Sequence, residues 1–396
     1  MKKLISLLIA LVLCLGLFAC GEKTDTSAPP AADSPAASAE NSPAPAAPGV
    51  PQGYPEDDVD HHARRTYEVV FLCDDWTFLQ QSWFSSMEAF EQRFNINMTA
   101  VSAEGDMDTF LANIELIPTR GYDGAIVTCM PDIYVRATEL LYASGIPWLA
   151  YTNTVVDDNG HTVAPTVSLD PYSVGYNTMR WLVDNYKSYW GEIDETKLGA
   201  IDTTVSTSPD LLARSEGPRD LFAETFPNST YFQLDAVSTG RTGMGVVSEE
   251  SAYDLVSATV SANPQIEYWF VTGAVEFYGV GSARALEDLG KTTDNALVCV
   301  VGSGVNFVDW DSMSEDTMSV NVACLFLSDL RTSIPAVSGI VAMIDGRATK
   351  DTLWREKTPP NYKYGNDYGV WLLDTLVVTR ADYKEALAYD EALVLG

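Results

Sequence analysis

The residues best suited to recognition or catalysis follow short apolar runs. Behind the run ending at Cys73 stand Asp74, Asp75 and Trp76, and then Gln81, Ser82, Trp83 and Phe84. Thr152, Asn153 and Thr154 follow the run 146–151, and a Thr/Ser-rich stretch after 197–202 leads to Arg214. After 296–302 come Gly304, Asn306, Phe307, Asp309 and Trp310. Carboxylates, amides and a guanidinium thus recur beside aromatic rings. Such forked groups can pair with vicinal hydroxyls while a ring face covers the C–H side of a sugar, so the set suits carbohydrate recognition. Bond cleavage lacks its parts. Only three His are present, two of them (His61 and His62) in a polar tail, so a His-centred triad or His-rich zinc site is nearly unavailable. No nucleophile–base pair and no flanking carboxylates stand on matched loops. Gly279-Val280-Gly281 and Gly302-Ser303-Gly304 complete neither a dinucleotide nor a phosphate-loop fingerprint, and Asp57, Asp58 and Asp60 beside the two His read as a solvated charge cluster. No cofactor and no metal are expected.

The elements that must position these loops alternate. Strands are expected at 67–73, 96–101, 124–128, 146–151, 197–202, 231–236, 267–272, 296–302, 319–325 and 370–377. Helices are expected at 82–94, 107–119, 132–144, 171–188, 218–226, 248–262, 276–289 and 329–344. Residues 132–144 show the logic: Asp132 can cap, Ile133, Ala137, Leu140 and Leu141 share a face, and Gly145 terminates. Alternation of this kind makes parallel sheets covered on both faces, and the body is long enough for two α/β lobes. In doubly wound sheets ligands lie at the carboxyl ends of the strands, where the polar loops are. A helix beginning near Pro218 would leave Arg214 on the preceding loop.

The chain opens with Met-Lys-Lys, an apolar run from Leu4 to Ala19, and Cys20-Gly21. The run is short for a membrane span of about 20 apolar residues and ends at the cysteine, so 1–19 reads as a lipoprotein signal with Cys20 as the acylated residue. Residues 20–66, rich in Ala, Pro and Ser, read as a disordered spacer. Of six Cys, Cys73, Cys129, Cys299 and Cys324 lie in or beside apolar runs and read as buried small hydrophobes, with a disulfide left open. A formal charge of −31 argues against nucleic acid, because phosphate binding needs Lys and Arg to displace counterions.

From about Val69 onward the chain resembles the type I periplasmic solute-binding proteins of ABC sugar importers, and among them the arabinose-binding proteins. The likeness rests on Phe71-Leu72 with Ser82-Trp83-Phe84, on 125–132, on 302–309 and on 376–385. It implies Trp83 as a stacking aromatic, Arg214 as an arginine reaching sugar oxygens, Asn306 as an amide ligand and Asp309 as a carboxylate ligand. It also places Asn153 where the family has an aspartate, Gln81 where it has a glutamate, and Asp74 near a lysine position. Leu169, Ala274 and Val275 replace Met, Met and Asn, which argues against arabinose itself. Trp76 and Trp310 read equally as rim aromatics or packing.

The resemblance further implies a first lobe of 67–169 plus 324–356, a second of 170–323 plus 357–396, and a hinge of three crossings. The expected protein is a monomeric, lipid-anchored extracytoplasmic receptor. Its two lobes would close on a neutral monosaccharide or polyol and present it to an ABC permease, touching the membrane only through the anchor. A sensory receptor of the same fold and a sugar-processing hydrolase are the alternatives.

Overall fold

A computed structural model of the chain describes residues 59–129, 134–152, 156–157, 159, 161–241, 245–314, 318–358 and 367–395. Cys20 and Asn153 lie outside the described residues. The first sheet holds β1 (Tyr67–Cys73), β2 (Ile96–Ser102), β3 (Gly124–Thr128), β4 (Trp148–Thr152), β5 (Thr166–Ser168) and β11 (Val370–Leu372), in the order β11-β5-β4-β3-β1-β2. The second holds β6 (Leu198–Thr204), β7 (Thr230–Asp235), β8 (Tyr268–Gly273), β9 (Ala296–Gly302), β10 (Asn321–Phe326) and β12 (Leu376–Thr379), in the order β12-β10-β9-β8-β6-β7. Within the two sheets, the described strands all pair in parallel except β10 with β12.

Burial on both faces explains the unbroken apolar runs. Val69, Phe71 and Cys73 face one buried layer of the first lobe, and Val70 and Leu72 face the other. The first layer is closed by α1 (Phe78–Glu88), α2 (Glu91–Phe94) and α10 (Asp329–Ile344), the second by α3 (Met107–Arg120) and α4 (Tyr134–Ser144). In the second lobe, α5 (Pro171–Trp190) and α6 (Pro209–Thr225) cover one face, and α7 (Glu249–Ala262) and α8 (Glu276–Asp288) cover the other. Cys73, Cys129, Cys299 and Cys324 are all buried, and none bridges another.

Several expectations are corrected. The run 370–377 is two strands, because β11 pairs with β5 in the first sheet and β12 with β10 in the second. The chain therefore crosses between lobes after Ser168, after Phe326 and after Leu372, later than the expected 323/324 and 356/357. A strand hydrogen-bonded along its length cannot be divided between two bodies, so β10 stays whole.

The spacer ends earlier than residue 66. Asp60 caps a short 3-10 turn at His61–Ala63, and His61 is buried edge-on against Phe94. The Arg64 guanidinium lies 3.8 Å over the Tyr67 ring, donates to the carbonyls of Phe94 and Asn95, and meets Asp345 at 3.3 Å. These contacts dock the segment onto the amino-terminal edge of the first sheet.

Helix α6 starts at Pro209 and runs through Pro218, so Arg214 is helical and not on a loop. Pro218 has no N–H to offer the Arg214 carbonyl four residues back. That carbonyl instead faces α5 at Gly175, where an added Cβ would sit 1.6 Å from the oxygen. Gly217 makes the reciprocal approach, where an added Cβ would sit 2.4 Å from the Tyr172 carbonyl oxygen. The two glycines let α5 and α6 touch backbone to backbone across the turn where Pro218 removes a helical hydrogen bond.

Two helices were not expected, α9 (Val305–Ser312) and α11 (Tyr383–Leu395). Helix α11 spans the lobes: Tyr383 and Ala386 pack with Phe307 and Trp310 of the second, whereas Leu393 enters the core of the first.

Candidate functional site

On the first lobe an aromatic wall stands at the carboxyl end of β1 and β4. Trp83 of α1 meets Tyr151 edge-on at 5.4 Å, Tyr151 meets Phe71 at 6.3 Å, Phe71 stacks near Phe84 at 6.2 Å, and Phe84 meets Trp76 at 5.8 Å. The wall is braced by a buried hydroxyl chain in which Ser333 of α10 lies 3.2 Å from the Tyr151 hydroxyl and 2.6 Å from Ser86. Trp83 is partly buried against this core and partly accessible. Trp76 packs on the same wall.

Asp74, at the tip of β1, is largely buried, and its carbonyl accepts from Gly105 at 2.8 Å. Gln81 is exposed and donates to the Trp76 carbonyl at 3.1 Å, which ties the first turn of α1 back to the β1–α1 connection. Ser82 donates to Asp329 at the start of α10, whose carboxyl is pushed up by burial. Thr152, the last residue of β4 before Asn153, has φ 66°, an unfavourable left-handed conformation for a β-branched side chain. Such strain costs on the order of 1–3 kcal/mol and clusters where a loop must be aimed.

On the second lobe three strand tips are tied together. The Ala274 amide donates to the Thr203 carbonyl at 2.9 Å, joining the β8 tip to β6. The Ala274 carbonyl accepts from Arg214 Nη1 at 3.0 Å, which aims the guanidinium of α6 across the β8 tip. Two residues on, the Glu276 carboxylate enters the β9–α9 turn. It accepts from the backbone amides of Ser303 at 2.9 Å, Gly304 at 3.2 Å and Asn306 at 2.7 Å. Burial raises its carboxyl above the ordinary range, and the amide donors offset only part of that rise. The Leu327 amide then donates to the Gly302 carbonyl at 2.7 Å, linking this turn to the second crossing.

Asn306 does not open toward the strand tips as a ligand amide would. It is fully buried, and its Oδ1 accepts from Asn321 Nδ2 at 2.6 Å. Asp309 is half-buried on the next turn of α9, where desolvation and the charge of Glu287 raise its carboxyl. Trp310 is core: its indole donates to the Asn321 carbonyl at 3.1 Å, and its ring packs against Phe307 and Tyr383. Trp83 and Asp74 therefore stand at the strand ends of one lobe and Arg214 at those of the other, while Asn306 belongs to the scaffold beneath. Glu276 escaped the sequence reading because an acid in the first turn of a helix is ordinary. Its one signal was the Gly302-Ser303-Gly304 turn, whose amides need an acceptor. Among the described residues no group of three or more His, Cys, Asp or Glu is placed to hold a metal ion.

Two doubly wound lobes joined by three crossings, with polar and aromatic residues at the strand ends, define a two-lobed binding protein. Residues 75–322 match the model of the periplasmic binding protein domain, and the chain belongs to that family. No curated protein sequence matches it. Among solved structures, it is similar to an ABC transporter periplasmic solute-binding protein from Actinobacillus succinogenes 130z with bound D-allose. That likeness has 16% identity, covers 81% of this chain and 99% of that one, and has a TM-score of 0.55. A solute-binding protein from Bacillus halodurans C-125 with bound myo-inositol is similar at 14% identity, 82% and 98% coverage and TM-score 0.54. An arabinose-binding protein from Geobacillus stearothermophilus follows at 13%, 81% and 98%, and 0.55. At such identities the likeness is one of fold.

Proposed function

We propose that the protein is a lipid-anchored extracytoplasmic receptor, not an enzyme, that takes a neutral monosaccharide or related polyol between its lobes and hands it to an ABC permease. The observation carrying this reading is the pairing of surfaces at the strand ends: an accessible aromatic wall centred on Trp83 on one lobe, and an Arg214 guanidinium fixed over the β8 tip on the other. A ring face and a forked donor suit the two sides of a sugar, its C–H face and its hydroxyl edge. Solved relatives of this fold hold D-allose and myo-inositol, which supports a polyhydroxylated solute. Closure follows from differential affinity, since a solute touching both lobes stabilises only the state that brings them together. The signal-like segment 1–19 with Cys20 supports the anchor.

The test is a thermal-shift screen of the exported chain against D-allose, myo-inositol, arabinose, ribose and other hexoses and polyols. A solute at 100 times its Kd should add about 2.7 kcal/mol to stability. Small-angle scattering with the best solute should show a more compact particle, and Arg214→Ala should lose the shift. No shift with any solute, or an undiminished shift in Arg214→Ala, overturns the reading.

A further inference from the structure

Glu276 is a buried carboxylate at the second lobe's strand tips that no binding role yet uses. Its residue is 6% exposed, and it sits in the first turn of α8, immediately behind the β8 tip that Arg214 holds. Its carboxylate accepts from the backbone amides of one turn, among them Ser303, Gly304 and Asn306. Those amides open α9, so the carboxylate serves that helix as an acceptor borrowed from α8. Gly304, the residue before α9, offers no side-chain cap of its own and has φ 136°. Gly302 completes the fit, because an added Cβ there would lie 2.6 Å from Glu276 Cδ.

We infer that Glu276 is a positioning residue for solute binding: it fixes the β9–α9 turn relative to the Arg214-bearing β8 tip, so that both face the solute in one geometry. This inference rests on the proposed sugar-binding role. The route is continuous. Arg214 holds the Ala274 carbonyl, Ala274 leads through Val275 into Glu276, and Glu276 holds the turn that leaves Ser303 exposed at the β9 tip. Only a carboxylate fits, because three converging N–H donors require an acceptor-only group. Glutamine has the same shape but turns one acceptor into a donor that would meet those amides head-on. Aspartate keeps the charge with a shorter reach. If Glu276 only filled space, the glutamine variant would match wild type and the aspartate variant would be worse.

The experiment compares wild type, Glu276→Gln and Glu276→Asp in two measurements. The first is amide hydrogen exchange at Ser303, Gly304 and Asn306. The second is calorimetric affinity for whichever of D-allose, myo-inositol, arabinose and ribose gives wild type its largest thermal shift. The expected result is faster exchange at these amides and at least tenfold weaker binding in Glu276→Gln, with partial rescue of both in Glu276→Asp. Unchanged exchange in Glu276→Gln overturns the inference, and so does wild-type affinity despite faster exchange. If Glu276→Gln fails to fold, Glu276→Asp carries the test, with exchange and affinity intermediate if the inference holds and unchanged if it does not. Failure of the sugar-binding role itself looks different: wild type then binds none of the four sugars, and the inferred part in binding falls with it, while the exchange data still report whether Glu276 holds the turn.

Discussion

Replacing Asp202 by Asn should stabilise the protein at neutral pH, and the gain should vanish in acid. Asp202 lies in β6, 1% exposed, with Thr272 Oγ1 donating to its Oδ1 at 2.7 Å from the neighbouring strand. Burial pushes its carboxyl from an ordinary 3.8 up to about 6, and the Ser215 and Thr272 hydroxyls offset only part of that cost. The folded chain therefore holds this proton more tightly than the unfolded chain. Between about pH 4 and 6 the folded state binds more protons, so stability falls as pH rises through that window and stays lower above it. A shift of roughly two units at 1.36 kcal/mol each makes the ionised group cost about 3 kcal/mol at pH 7. Asn keeps an acceptor for Thr272 and has no charge to bury. Urea unfolding of wild type and Asp202→Asn from pH 4 to 8 reads the difference, because every other titrating group is common to both chains. The gap should open by about 3 kcal/mol across the window, or roughly 6–12 °C in Tm for a lobe of this size. A gap that is the same at pH 4 and pH 7 would refute the reasoning, since Asp202 would then titrate as it does in the unfolded chain.

Two further outcomes test the scaffold. Gly175→Ala should disrupt the α5–α6 contact, because its methyl would lie 1.6 Å from the Arg214 carbonyl; a loss of at least about 3 kcal/mol, read by denaturant unfolding, is expected. Asn306→Ala should destabilise by about 1–3 kcal/mol through the unpaired Asn321 amide, while a solute stays bound with near wild-type affinity at low temperature. Loss of binding without loss of stability would return Asn306 to the site.

Much of the architecture was legible because a strand buried on both faces writes itself as consecutive apolar residues. The runs at 67–73, 124–128 and 296–302 stand in the structure at those same bounds. The helices 107–119 and 329–344 were equally readable, since Phe110, Ile114 and Ile117, or Ile334, Val337 and Val341, recur at helical spacing. Strand β5 was not, because three residues, Thr166-Val167-Ser168, carry no period. Pro218 misled for a definite reason: local rules end a helix there, and only the glycine contact with α5 explains why it continues.

What the sequence determined alone was therefore the kind of body: an alternating α/β chain of two lobes with polar and aromatic residues at its strand ends. Tertiary structure decided which of those residues meet. Apolar periodicity is local and survives in a string of letters, whereas Glu276 reaching amides at 303–306, Asn306 turning inward to Asn321, and one apolar run dividing between two sheets depend on contacts between distant segments. Those contacts are set by the geometry of packing, which no single stretch of chain contains.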